Sequence, residues 1–376
     1  MNRLKPQRTL VLLGIGHTNA HIVRRWITDP VPACRLVCIS KFPFATYSGM
    51  LPGTLSEQFE PAEMEISLAP LVERAGGELV VDEVVGLNRE SQTIHFAGRE
   101  ALAFDALSVG VGSMPAGWKD FESPALVPIK PMQTFVERWE SRLRTCQRAP
   151  RCVIVGGGVA GVEVALCLRT RLQRHPARQD ASVTIVTSGS EIAQGMTATS
   201  QRKLLAILAQ RGVEVRTDFR VTQIDDSTFH STSGDTQDAD AIIWATGAAA
   251  PPILTKLNLP TDGRGFLTTE PTLRTTAGLP VFAVGDSGTI PSDPAPKAGV
   301  YAVRQAPILW HNLNATLRED DSLKPYHPQK GFMKILNTGD GKALLEYKGF
   351  SVHARWCWWL KCWIDKRFIR KYQAPF

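Results

Sequence analysis

Three glycines, Gly156, Gly158 and Gly161, stand at G-x-G-x-x-G spacing directly after the apolar β-branched run Val153, Ile154, Val155 and directly before a helical pattern. That arrangement suits one kind of chemistry, the holding of a pyrophosphate. The first Gly permits the tight turn, the second lets the backbone approach the anion, and the third lets helix and strand pack closely. Unpaired N–H groups at the positive end of the helix dipole then face the phosphates. Two distant stretches supply partners for this turn. Residues 9–26 repeat the strand–glycine–helix pattern with Gly14 and Gly16, but Asn19 occupies the third glycine position. An Asn is tolerable there if its side chain finds a hydrogen-bond partner or if helix and strand separate slightly. Residues 279–286 read as a buried strand ending in Gly285 and Asp286, whose carboxylate can accept hydrogen bonds from sugar-like hydroxyls. Ala298, in the start of the helical run that follows, belongs to the same cofactor-facing segment, with the helix start turned toward negative charge.

Two glycine turns about 140 residues apart and a late V-F-A-V-G-D resemble the two-dinucleotide flavoproteins of the pyridine nucleotide–disulfide oxidoreductase superfamily. The runs 107–112, ending in Gly112, and 243–247, ending in Gly247, match the glycine crossings between the two domains of that superfamily. Residues 47–53 (Y-S-G-M-L-P-G) and the tail 363–373 look most like a branch related to type II NADH dehydrogenases. That branch includes the flavoprotein module fused to selenophosphate synthetase; here the module is expected to stand alone, with no kinase-like extension before Phe376. The resemblance implies FAD as cofactor and NADH or NADPH as co-substrate. It also implies cofactor contacts from Ser48 and Gly49 in the 47–53 loop, from His17 after the first turn, and from Ser40, Lys41 and Thr187 at the ends of the second strands of the two units. Glu163 and Lys297 are the candidate catalytic residues. A Glu at position 163 would lie near the flavin–nicotinamide junction, although a carboxylate on the first turn of a helix is also favoured by the dipole alone. His17, although a candidate contact, is with His21 and Tyr301 better read as structural.

The resemblance is imperfect in three places. Ser40 and Lys41 stand where many FAD domains carry an acidic ribose ligand, and Thr187 begins a T-S-G-S run that lacks the acidic residue favouring NAD. Val300 and Arg304 occupy the positions, aligned on Gln305, where type II NADH dehydrogenases show a pair of Gln facing the quinone. NADPH therefore stays open as donor, and the acceptor stays open between a quinone, a selenium or sulfur species and a small protein.

The elements that must position these residues define an α/β chain. Two Rossmann-like, three-layer dinucleotide-binding domains are expected, the second inserted in the first, with a small C-terminal region. The divisions read as 1–124 and 268–325 for the FAD-binding domain, 125–267 for the NAD(P)H-binding domain and 326–376 for the remainder. A chain of 376 residues with 43% apolar and 21% charged residues has room for two such cores. Residues 63–75 read as a helix, 78–104 as short antiparallel strands, and 132–146 and 199–211 as helices. No apolar run approaches the ~20 residues of a membrane span. The basic start of the chain runs into a strand and lacks a cleavage site, so a cytoplasmic location is expected.

Seven cysteines without a C-x-x-C pair read as small buried hydrophobes. No His or Cys cluster has metal spacing, so no metal is expected. A sulfide:quinone oxidoreductase, which needs cysteines near the flavin, is the weaker variant. A nucleotide-binding sensor or partner linked to selenophosphate synthesis is the rival class. The net charge is +7, and residues 351–376 carry six basic side chains (Arg355, Lys361, Lys366, Arg367, Arg370, Lys371) against Asp365. With Trp356, Trp359, Trp363 and Phe368 at three- to five-residue spacing, the region 352–372 reads as a basic amphipathic helix lying on a membrane surface, on the cytoplasmic face. The same stripe would suit a helix packed on the protein's own domain or in a homodimer interface. No recognition motif accompanies the charge, so nucleic acid is not expected as a partner.

Overall fold

A computed structural model describes residues 8–146, 149–225 and 227–373; the basic start of the chain, residues 1–7, lies outside the described residues. The first glycine turn belongs to a five-stranded sheet in the order Val281–Ala283, Ala106–Val109, Arg8–Leu13, Cys34–Ser40, Glu78–Val81. All four pairings in it are parallel. The strands are apolar on both faces because helices and loops cover both, as in doubly wound proteins. Glu78–Val81 joins this sheet, Val80 opposite Ile39, rather than the antiparallel meander that the sequence suggests. The meander begins only at Val84–Asn88 and continues through Thr93–Phe96 and Leu102–Ala103.

A second five-stranded parallel sheet is formed between the fourth and fifth strands of the first in chain order. Its spatial order is Leu126–Pro128, Ala241–Trp244, Arg151–Val155, Ser182–Val186, Val213–Arg216. The short strands Met114–Pro115 and Ala248–Ala249 pair antiparallel where the chain leaves and re-enters. This is the α/β architecture of two Rossmann-like units, one inserted in the other.

The 63–75 segment is not one helix. A 3-10 turn Pro61–Met64 leads into strand Glu65–Ser67, and helix Leu68–Arg74 follows. Glu65–Ser67 pairs with Phe44–Thr46, so the backbone hydrogen bonds that a helix would use internally go instead to the strand leading into Tyr47. Past helix Gly299–Leu317, a three-stranded antiparallel sheet (Lys334–Asn337, Ala343–Tyr347, Phe350–Ala354) precedes helix Arg355–Gln373. Among the described residues no helix is long and apolar enough to cross a membrane.

The C-terminal helix corrects one expectation. Lys361, counted above among the basic groups free to reach lipid, is 8% exposed and faces inward with Asp365. Trp356, Trp359 and Trp363 lie on the other side, 49%, 66% and 57% exposed. Periodicity alone could not separate these faces, because charged residues occur on both.

Candidate functional site

A cavity of about 540 Å³ opens at the carboxyl ends of the first sheet's strands, where open parallel sheets bind ligands. Gly14, Gly16, His17 and Asn19 line it from the first turn, and Ser40 and Lys41 from the end of the second strand. Ser48, Gly112, Gly285 and Asp286 line it from three further segments. Ten residues from five separate places in the sequence therefore share one space.

The turn is built for close approach. Gly14 has φ +80°, and a Cβ there would lie 2.7 Å from the Gly110 oxygen. Asn19 solves the missing third glycine with its own amide, which donates to the Gly14 oxygen at 2.8 Å and to the Ser108 oxygen at 3.3 Å. The Ser108 hydroxyl donates back to Asn19 Oδ1 at 2.7 Å. Next to it, Thr18 Oγ1 donates to the Ala302 oxygen at 2.8 Å, tying this helix start to helix Gly299–Leu317.

Asp286 is the charged centre. Ser113 Oγ donates to its carboxylate at 2.6 Å, Lys130 Nζ donates to Ser113 Oγ at 2.7 Å, and the ammonium stands 3.6 Å from the carboxylate. Burial lowers the Lys130 pKa, and Asp286 opposes that shift. Sequence reasoning missed both Ser113 and Lys130, although both line the cavity. The available signal was a lysine enclosed by V-P-I and P in the crossing segment, where an unpaired charge would be costly. His17 is lowered to about 4, chiefly by burial, with Lys130 adding to the shift and Asp286 opposing it, so it is neutral near pH 7.

Apart from the residues of the second unit's turn and crossing, four expected site residues lie off the cavity. Gly49 turns its carbonyl to Lys361 Nζ at 2.9 Å. Lys297 and Ala298 border a void of about 20 Å³ that shares Gly285 and Asp286 with the main cavity. The Lys297 ammonium donates to the Gly288 carbonyl and to Thr289 Oγ1 and sits 4.2 Å from the Phe266 ring centroid; burial lowers it to about 8. Glu163 is buried against the C-terminal region, accepting from the Asn337 N–H at 2.8 Å, with Lys361 Nζ 3.9 Å away. Burial raises its pKa, against the pull of Lys361 and the Asn337 hydrogen bond.

The same cluster reaches back toward the cavity. Lys361 pairs with Asp365 at 3.1 Å, and Tyr47 Oη donates to Asp365 at 3.1 Å. Phe368 stacks on the Tyr47 ring at 4.5 Å and lies 5.6 Å from the His17 ring. His21 is half-buried and shifted down by desolvation, and Tyr301 packs edge-on against Phe332. Gln305, which marked the alignment with the quinone-facing pair, is buried and accepts from the Gly285 N–H at 2.6 Å. Arg304 is exposed.

In the second unit Gly156 has φ +127°, and a Cβ there would lie 2.4 Å from the Ala245 oxygen. A Cβ on Gly161 would fall 1.9 Å from the Gly156 oxygen, whereas at Gly158 it would meet nothing within 4 Å. The first and third glycines are thus demanded by the fold, and the second leaves open space for a phosphate. Thr187 packs against Gly157, and the Gly247 carbonyl accepts from the Ala116 N–H at 2.8 Å in the crossing segment. The cavity at the Gly14–Gly16 turn and the open space at Gly158 are two places where a dinucleotide's pyrophosphate can approach the backbone.

Residues 40–306 match the model of the family described as pyridine nucleotide-disulphide oxidoreductase. The demethylphylloquinone reductase NdbB of Synechocystis is 25% identical over 62% of this chain, which spans 59% of that protein's length. The NADH dehydrogenase-like protein YutJ of Bacillus subtilis is 21% identical over 90% of this chain and 92% of its own. In fold, the sulfide:quinone oxidoreductase of Aquifex aeolicus superposes with a TM-score of 0.80 at 16% identity, covering 98% of this chain and 93% of that one. NDH2 of Plasmodium falciparum in complex with NADH gives 0.79 at 13% identity, covering 98% and 99%. With the glycine turns, the cavity and the inserted second sheet already in place, the chain belongs to the pyridine nucleotide-disulphide oxidoreductase family, an oxidoreductase that uses FAD and NAD(P)H.

Proposed function

We propose that the chain is an NAD(P)H:quinone oxidoreductase that works at a membrane surface. The observation that carries the reading is the Lys130–Ser113–Asp286 chain beside the Gly14–Gly16 turn, facing one cavity from distant segments. A bound FAD would supply the hydride acceptor for the nicotinamide and the onward route for the electrons. The protein's share is positioning. The first turn would hold the flavin's pyrophosphate, Asp286 would orient the chain that links it to the ring, and the Gly158 turn would hold the second dinucleotide. Lys130 brings its amine to 3.6 Å from the Asp286 carboxylate beside the cavity, and His17 stays neutral there near pH 7. Glu163 would act from behind, anchoring the C-terminal helix through Lys361 and the strand Lys334–Asn337 through the Asn337 N–H; Lys297 would fix the loop carrying Asp286.

Quinone is favoured as acceptor because the relatives include a protein named demethylphylloquinone reductase. Among the described residues no cysteine lines the cavity, which counts against a sulfide-oxidising variant of the same fold. Membrane attachment is supported by the exposed Trp356, Trp359 and Trp363 beside Arg367 and Arg370.

Anaerobic addition of NADH and of NADPH to the purified yellow protein, followed by a short-chain quinone, tests the reading. Bleaching by one nucleotide and recovery of colour on adding quinone is expected. Persistent colour with both nucleotides would leave a nucleotide-binding sensor instead. Bleaching without recovery would leave the oxidoreductase and remove the quinone.

A further inference from the structure

A second cavity, about 850 Å³ and open to solvent, lies between the C-terminal helix and the first nucleotide-binding unit. Its size falls within the roughly 300–1,000 Å³ of small-molecule sites. The wall is of two kinds. Phe59, Trp358 and Trp363 make an apolar side. Arg24, from helix His17–Thr28, faces four cations of the C-terminal helix: Lys366, Arg367, Arg370 and Lys371. Among the described residues that line it there is no carboxylate; Glu63 reaches Lys366 from outside the lining at 3.0 Å. Two of the cations are held against the aromatic side, Lys366 at 5.4 Å from the Phe59 ring and Arg367 at 5.0 Å from Trp363.

A ligand that uses both sides must carry a compact anion joined directly to an apolar chain. Inorganic phosphate would satisfy the cations and leave the aromatic wall bare. We propose that this groove binds the phosphodiester headgroup of an anionic glycerophospholipid, with its acyl chains leaving along the exposed Trp359–Trp363 ridge. The proposal rests on the membrane-surface reading above and sharpens it. Attraction to a charged surface treats every cation at this end of the molecule alike. A headgroup site makes Arg370 and Lys371 count for more than Lys348 and Arg355, which lie outside the groove.

The test uses full-length, flavin-loaded protein. Calorimetry would measure binding of dihexanoyl-phosphatidylglycerol below its micelle concentration, of dihexanoyl-phosphatidylcholine and of inorganic phosphate. Cosedimentation with vesicles of phosphatidylglycerol in phosphatidylcholine would measure attachment. R370Q/K371Q is compared with K348Q/R355Q, which removes equal charge elsewhere. Saturable binding of the short-chain anionic lipid is expected, well ahead of the other two probes. R370Q/K371Q should weaken it about thirtyfold, and K348Q/R355Q less than about twofold. Equal weakening of vesicle attachment by both variants, with no saturable short-chain binding, would overturn the site and leave the membrane reading intact. Tight short-chain binding by a protein that ignores vesicles would keep the site and overturn the membrane reading. Phosphate binding as tightly as the lipid would overturn the lipid assignment.

Discussion

The side-chain amide of Asn19 donates to the carbonyl oxygen of Gly14 at 2.8 Å, closing the first glycine turn across the position where a third glycine usually allows close packing. Together with the mutual hydrogen bond to Ser108, it makes a buried polar knot in place of a bare backbone contact. Asn19→Ala would leave the Ser108 hydroxyl and the Gly14 carbonyl without this partner, at a cost of ~1–3 kcal/mol. Denaturant unfolding of the flavin-loaded protein should show that loss, together with weaker flavin retention. An unchanged midpoint would mean that the knot contributes nothing.

Asp286→Ala should weaken flavin binding, since a charge-assisted hydrogen bond contributes ~1.5–3 kcal/mol, or roughly ten- to 150-fold in affinity. The substitution also leaves Lys130 buried beside Ser113 without its counter-ion. Reconstituting the apoprotein with FAD and measuring Kd checks it, and D286A/K130M should recover stability but not affinity. Full flavin occupancy in D286A would remove Asp286 from the cofactor site.

Backbone packing and phosphate approach separate at the third and second glycines of the second turn. Gly161→Ala should unfold or severely destabilise the protein, because its Cβ would lie 1.9 Å from the Gly156 oxygen. Gly158→Val should fold, since an added Cβ meets nothing within 4 Å, and stay yellow while losing reduction by nicotinamide nucleotides. Stopped-flow bleaching of the flavin band is the measurement. Wild-type reduction kinetics in G158V would show that this turn does not hold the second nucleotide.

His17 gives a signed pH dependence. Its pKa is lowered from the ordinary 6.5 to about 4 by burial, so between these values the unfolded chain binds the extra proton and the native protein does not. Stability from this group is therefore full above about pH 6.5 and falls as the pH drops toward 4, by up to ~3 kcal/mol. Urea unfolding of wild type and His17→Gln from pH 7.5 to pH 4 should show the wild type losing more stability on acidification. Parallel pH profiles would mean that His17 is not held neutral.

The C-terminal helix needs a point-mutation test rather than truncation. Removing residues from Arg355 onward would also strip Phe368 from Tyr47 and Lys361 from Glu163. Trp359→Ser with Trp363→Ser removes two exposed rings, the second of which also walls the basic groove beneath Arg367, and should reduce vesicle cosedimentation severalfold while the flavin content stays that of wild type. Retained cosedimentation would move the attachment elsewhere.

The two nucleotide-binding units were legible along the chain, because strand–glycine–helix turns impose local backbone demands that few other residues meet. Gly156 at φ +127° and the close contacts at Gly14 and Gly161 are local in this sense, and they were legible as spacing. Asp286 was legible for the same reason, as a carboxylate at the end of a buried strand. The rest depends on contacts between segments far apart in the chain. Ser113 and Lys130 become a site only when the crossing segment is brought against Asp286, 173 residues from Ser113 along the chain. Glu163 reads as a cofactor-facing carboxylate until Asn337 and Lys361 arrive from the far end of the chain and bury it. Lys361 itself looks like one more solvated cation on a basic helix. It faces inward because Glu163, Asp365 and the Gly49 carbonyl together meet the cost of burying its charge, and no one-dimensional pattern records where those partners converge.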